Sequence, residues 1–334
     1  MTAGPAQSTA ATIPLPWLQV HQRTLRSWRD QDRLPHALLV HGPAGWGKKR
    51  LVRHWIAELL DQPGETDEQS YAHPDLRWVG VEAESVARQI KIDQIRELTD
   101  FVIGTSLGQR KIVVLEDAER MNGNAANALL KTLEEPSGNA HILLISERPW
   151  ALSATIRSRC SALQVQPDHT SARRWLAALP SAERPSSDTL WLAGGAPLTA
   201  QAMHVSAADQ PVLAALQAIL ALRDAPRTLA KVVTQAVACP LPLLIDGWLR
   251  MLHEARIHAC TGVAATELDA SHAEPLALAA RVPAPDWVHA VDCAAEQLEQ
   301  LANELMWSKR ALLGTSNPNA GLLMESLLVR WCAH

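Results

Sequence analysis

The sequence is poor in cysteine and nearly empty of two of the three aromatic residue types. Five cysteines stand among 334 residues, at Cys160, Cys239, Cys260, Cys293 and Cys332. They are odd in number, widely scattered and never form a CxxC pair, which argues against a disulfide framework or a zinc site built on cysteine. No run approaches the roughly 18 apolar residues that a membrane-spanning helix needs. The segment from Met1 to Trp17 lacks a charged start followed by an apolar core, so no secretory signal is read there. A basic excess is missing too: Lys plus Arg is 31 and Asp plus Glu is 35, a net charge of −4. Proteins whose whole surface grips nucleic acid usually carry clear basic excess, so that class is disfavoured, while a local basic patch stays open. Together these absences predict a cytoplasmic protein of a reducing compartment with no membrane partner. Tyr and Phe occur once each against twelve Trp. Large apolar rings usually fill cores, and the sequence offers no functional account of the bias.

What is present is globular. Hydrophobic residues make up 47% and charged residues 20%, enough to bury a sizeable core and unlike a disordered chain. The length corresponds to two or three domains at roughly 150 residues each. Ala37 to His41, Leu76 to Val79, Ile112 to Leu115 and Ile142 to Ile145 read as strands. Between them, Val52, Trp55, Ile56, Leu59 and Leu60 recur at helical spacing, as do Ile92, Ile95, Leu98 and Val102. Asn122 can cap a further helix with a buried stripe of Ala126, Leu129, Leu130 and Leu133, stopped by Pro136. Continuous apolar strands separated by helices predict a mostly parallel sheet covered on both faces. Beyond Pro167 strand signals nearly vanish. The expected organisation is an α/β domain over residues 1–166, a small helical domain over 167–208 and a larger all-helical domain over 209–334, with a long helix from Trp287 to Leu313.

Gly42-Pro43-Ala44-Gly45-Trp46-Gly47-Lys48-Lys49 fits GxxxxGK between a predicted strand and a predicted helix. The glycines let backbone N–H groups turn toward a phosphate, and the helix N-terminus adds positive potential. Lys48 is placed to reach the β- and γ-phosphates. The next position should be Ser or Thr, whose hydroxyl binds magnesium. It is Lys49, which has only donors and cannot ligate a cation. Trp46 puts an indole where small side chains are usual. A second motif repeats the defect. After Ile112 to Leu115 come Glu116 and Asp117, whereas a working ATPase of this type wants Asp and then Glu. The plainer reading is that Glu116 and Asp117 only end a strand and cap a turn. Binding of ATP and magnesium is therefore expected to be weak or absent.

The residues resemble a known family. Gly42 to Lys49, Lys111 to Met121, the run Asn127-Ala128-Leu129-Leu130-Lys131-Thr132-Leu133-Glu134-Glu135-Pro136 and the run Thr155-Ile156-Arg157-Ser158-Arg159-Cys160 are together similar to subunits of the bacterial sliding-clamp loader, an AAA+ assembly of the DNA polymerase III holoenzyme. His73-Pro74-Asp75 and Ile92 to Leu98 match as well. These motifs fall within residues 36–160; the helical remainder resembles the family's lid and collar in length and pattern only. Motor subunits keep GK[ST], a DE pair and a lid arginine. Lys49, the swapped Glu116 and Asp117, and Gly194-Gly195-Ala196-Pro197-Leu198 without an arginine instead resemble the delta-prime branch, whose nucleotide sites have decayed.

The resemblance implies a RecA-like P-loop domain, a lid and a collar, no chemistry by the lone chain, and gamma/tau motor and delta subunits as neighbours. It implies contact with the sliding clamp and primed DNA through the assembly. It also implies that Arg159 projects into a neighbour's nucleotide site as an arginine finger; without the family, a surface arginine paired with a local carboxylate is the simpler reading. Arg157 is a second candidate for that surface, and Cys160 is expected to pack rather than react. Many clamp-loader subunits carry a four-cysteine zinc module before the HPD segment. Asp61 to Ala72 holds no cysteine, so a short loop is expected there, with no zinc and with His73 not a ligand. His253 and His258 lie about 140° apart on a helix and do not share a face. Three rivals remain: an active AAA+ ATPase, a P-loop small-molecule kinase and a plain DNA-binding protein.

Overall fold

The computed structural model describes residues 14–61, 73–82, 88–104, 110–135, 139–261, 284–285, 288, 295–314 and 318–333. The chain divides into two compact units, Met1–Ala178 and Leu179–His334.

The first unit is built on strands β1 (Ala37–His41), β2 (Leu76–Val79), β3 (Lys111–Leu115), β4 (Ala140–Ser146) and β5 (Ser161–Gln164). They form one sheet in the order β2-β3-β4-β1-β5, and every pairing is parallel. Helices α1 (Gln19–Asp30), α2 (Lys48–Leu59), α3 (Ile92–Ile103), α4 (Gly123–Glu134), α5 (Ala154–Arg159) and α6 (His169–Ala177) belong to the same unit. The run KIVVL of β3 is buried at all five positions, as expected for a central strand of a doubly covered parallel sheet. Register aligns the strand ends: Leu115 of β3 lies beside Leu144 of β4, and Val40 of β1 beside Ile145. The segments leaving β1, β3 and β4 therefore emerge side by side at the C-terminal edge, where open α/β sheets place their sites.

The parallel α/β class, the four strands and their helices follow the sequence pattern, and three local details differ. The sequence reading missed β5, a four-residue edge strand of pattern SALQ in which only Leu163 is buried. It also missed α1, which is strongly polar and buries only Leu25. In α4 the buried residues are Ala125, Leu129, Thr132 and Leu133, while Ala126 and Leu130 are half-buried. Thr132 can face inward because its hydroxyl meets Thr99 Oγ1 of α3 at 3.1 Å. Glu134 is the last residue of α4; Pro136, expected to stop it, lies outside the described residues.

The second unit holds α7 (Ser187–Leu192), α8 (Pro197–Val205), α9 (Asp209–Ala221), α10 (Leu229–Val237), α11 (Leu241–Thr261), α12 (Ala295–Leu313) and α13 (Ala320–Ala333), with no strand among the described residues. Its core joins Leu216, Ile219, Leu244, Trp248, Leu305, Leu328 and Trp331. Trp331 Nε1 donates to Ile219 O at 2.6 Å, and the Trp248 and Trp331 rings meet edge to face at 6.1 Å. Leu298, Leu301 and Leu305 of α12 are core residues. The part of the expected helix before Ala295, from Trp287 and including Val291, lies outside the described residues apart from Val288, as does the side chain of His258. No helix among the described residues is long and apolar enough to cross a membrane.

Candidate functional site

The loop after β1 turns on its glycines. Gly42, Gly45 and Gly47 have φ of 145°, 71° and 89°, values that side-chain-bearing residues rarely adopt. At Gly42 a Cβ would also fall on the carbonyl oxygen of Val165. Gly47 is the N-cap of α2, and Leu51 N donates to Gly47 O at 2.9 Å. The fold thus builds a phosphate-type loop at a helix N-terminus.

Trp46, the bulky residue in that loop, is 2% exposed. It is a core residue rather than a lid over the loop. Its ring meets Trp17 edge to face at 5.8 Å and His169 at 5.0 Å. Trp17 Nε1 donates to Trp46 O at 2.9 Å, and Trp17 meets Trp175 of α6 at 5.7 Å. The three-residue 3-10 turn Pro16–Leu18, the loop and α6 are therefore pinned to one another by aromatic packing. Part of the tryptophan excess has a structural use here.

The two lysines at the start of α2 are both engaged by the chain itself. Lys48 is buried; its Nζ donates to Pro43 O at 2.7 Å and stands 3.9 Å from Glu147 Oε1. Glu147 directly follows β4, so strand register delivers it to this lysine. Burial pushes the Lys48 ammonium below the ordinary lysine range, against the pull of Glu147 and Glu119. Lys49 Nζ donates to Glu116 Oε1. Glu116 in turn accepts from Trp78 Nε1 on its other oxygen at 2.8 Å. Its backbone N donates to Val79 O at 2.8 Å, which extends the β2–β3 ladder and fixes the side chain's origin. Asp117 adopts the left-handed region (φ 51°) and pairs with Arg120 at 3.5 Å. It stands at the start of a 3-10 turn, and its side chain makes no cap hydrogen bond.

A magnesium-bound triphosphate needs a hydroxyl after the loop lysine, an available carboxylate at the strand end and a lysine aimed at phosphate. Here the hydroxyl's position holds an ammonium, the strand-end carboxylate accepts from that ammonium and from Trp78, and Lys48 gives one of its three donors to its own loop. The ammonium, which cannot ligate a cation, is the part that does not fit that ligand. Trp78, Glu119 and Glu147 were not foreseen from the sequence. Only Glu147 carried a signal, its place directly after a buried strand.

Arg159 lies apart from this set, at the end of α5. Ser153 Oγ caps that helix by accepting from Ile156 N at 3.3 Å, and fully buried Ile156 anchors it. Arg159 Nη1 donates to Thr155 O at 3.1 Å, and Nη2 stands 2.5 Å from Glu134 Oε1 at the end of α4. The guanidinium is one-third exposed and Arg157 is exposed. Just before α5, Trp150 is 71% exposed. Cys160 is half-buried rather than buried, and desolvation pushes its thiol up to about 11, so it is no nucleophile at neutral pH. Residues 62–72, where a short loop was expected to replace a zinc module, lie outside the described residues, and His73 Nδ1 accepts from Asp75 N at 3.0 Å. His253 is half-buried and its pKa is lowered, chiefly by burial.

A family model described as DNA polymerase III, delta subunit, matches residues 19–169. The DNA polymerase III subunit delta′ of Pseudomonas aeruginosa is 35% identical over 326 residues, covering 89% of this chain and 92% of that one. The delta′ subunit of Escherichia coli K12 is 32% identical over 157 residues, 43% of this chain and 46% of its own. The tau/gamma subunit of Haemophilus influenzae is 32% identical over 136 residues, 39% of this chain and 20% of its own. The likeness to the first of these relatives runs through both units, and the chain belongs to the family of DNA polymerase III delta-prime subunits, the clamp-loader components related to AAA+ proteins.

Proposed function

We propose that this chain is a non-hydrolysing member of the clamp loader that supplies Arg159 in trans. It sits beside a gamma/tau motor subunit, with a delta subunit in the same assembly. The assembly uses ATP to place the sliding clamp on primed DNA. The helices of residues 167–208 act as lid, and those of 209–334 as the collar that joins the ring. The lone chain binds no ATP, magnesium or zinc and does no chemistry.

One observation carries the non-hydrolysing half: Lys49 occupies the magnesium-ligand position and is bonded to Glu116. For the other half, magnitudes decide. The Arg159–Glu134 pair is solvent-exposed in part, and such pairs contribute about 0.2–1 kcal/mol. Arginine fingers contribute roughly 10³–10⁵ in rate, which is about 4–7 kcal/mol at 1.36 kcal/mol per tenfold. Glu134 therefore holds the guanidinium without preventing its transfer to a phosphoryl group. The planar fork suits that charge better than lysine would.

The test is equilibrium binding of a non-hydrolysable ATP analogue to the purified chain, with and without magnesium. No binding up to millimolar ligand is expected. Micromolar, magnesium-dependent binding would overturn the reading in favour of a motor ATPase.

A further inference from the structure

The charges around the loop do more than fail to fit a nucleotide. Lys49 opens α2 and Glu116 follows β3, so their bond ties the helix start to the strand end. Both oxygens of Glu116 are engaged: one accepts from Lys49 and the other from Trp78 of β2. Arg53, one turn after Lys49, stacks on the Trp78 ring with its guanidinium carbon 5.4 Å from the centroid. The adjacent lysine is answered in the same way, because Glu147 at the end of β4 faces Lys48. Two cations in the first turn of a helix oppose its dipole; here each is matched by a carboxylate from a neighbouring strand end.

We propose that Lys49 is a resident cation. Its tethered ammonium takes the place that a divalent ion holds between a phosphate loop and an acidic strand end, and it ties α2 to β2 and β3 without a ligand. That charge is attached to the chain and so is present at every stage of an ATP cycle run by other subunits. A hydrated magnesium ion carrying a polyphosphate can enter only by displacing a covalently attached charge of the same sign. This deepens the nucleotide-free part of the proposed function and is independent of the role given to Arg159.

Thermal unfolding of the full chain tests it, with wild type, Lys49→Met, Lys49→Thr, Glu116→Gln and the Lys49→Met/Glu116→Gln double variant. Each single change is expected to lower Tm by about 1–3 °C, the range for a partly exposed pair. The double variant is expected to fall no further than the worse single, because the two side chains act as one unit. Wild-type Tm stays unchanged with magnesium ATP or magnesium pyrophosphate at millimolar concentration. Additive losses in the double variant would overturn the resident cation while leaving the nucleotide-free reading intact. A rise in wild-type Tm with magnesium ATP would overturn both. Lys49→Thr keeps a side chain found in working loops, so a loss there is not a folding defect of an alien residue.

Discussion

Replacing Trp46 by alanine tests whether the loop is filled by the protein's own core. Trp46 is 2% exposed, and its loss removes nearly a whole indole from packed surroundings. Large-to-small core changes of this type cost about 3–5 kcal/mol. The upper half of that range applies, because edge-to-face contacts with Trp17 at 5.8 Å and His169 at 5.0 Å go as well. Such contacts contribute about 0.5–1.5 kcal/mol each. The bond from Trp17 Nε1 to the Trp46 carbonyl survives, since that acceptor is backbone. A loss of about 4–5 kcal/mol corresponds to a Tm fall of roughly 8–20 °C for a unit of this size. Calorimetry of the full chain resolves it, with Trp150→Ala as the control. Trp150 is 71% exposed, and its removal is expected to stay within about 0.5 kcal/mol. If Trp46→Ala behaves like Trp150→Ala, the indole is not a core residue and the loop is open to a ligand.

The backbone and the histidines give further tests. Gly42→Ala forces φ of 145° on a residue with a Cβ that falls on Val165 O, a strain of about 1–3 kcal/mol before the clash is added. Gly123→Ala meets nothing within 4 Å and should stabilise by about 0.4–1 kcal/mol; melting both variants checks the contrast. Burial lowers the pKa of His41 and His141 below 6.5. The unfolded chain then binds more protons than the folded one between the folded values and 6.5, so stability falls as pH drops through that window. His141→Gln should flatten the loss of Tm below pH 6.5. The acid-side loss from Glu58 and Asp168, whose pKa values are lowered by hydrogen bonds from Arg26 and the Ser171 backbone, comes lower, beneath their ordinary 4.5 and 3.8.

Much of the first unit was legible because its signals are local. β1, β3 and β4 are apolar runs, and the loop glycines announce a turn that only they can make. β5 was not legible: its pattern SALQ buries only Leu163, and its existence depends on pairing with Leu38 to His41. The stripe of α4 was misjudged because the hydroxyl of Thr132 finds a partner on α3, a contact no periodicity reveals. At the site, Lys49 and Glu116 were each marked as defects, but the sequence could not show that they answer one another across 67 positions. Trp78, which holds the second oxygen of Glu116, looked like any strand residue. Arg159 carried its meaning only through the family resemblance, and its bond to Glu134 is what an unremarkable surface arginine would also make.

In the proposed role this chain acts on a neighbour's nucleotide and not on its own. The direct measurement is single-turnover ATP hydrolysis by the loader reconstituted with its own motor and delta subunits, comparing wild type, Arg159→Ala, Arg159→Lys and Arg157→Ala. Arg159→Ala is expected to slow the turnover at the neighbouring site by about a thousandfold or more, Arg159→Lys to recover little of it, and Arg157→Ala to stay near wild type. Unchanged hydrolysis in Arg159→Ala, with the assembly intact, would contradict that role.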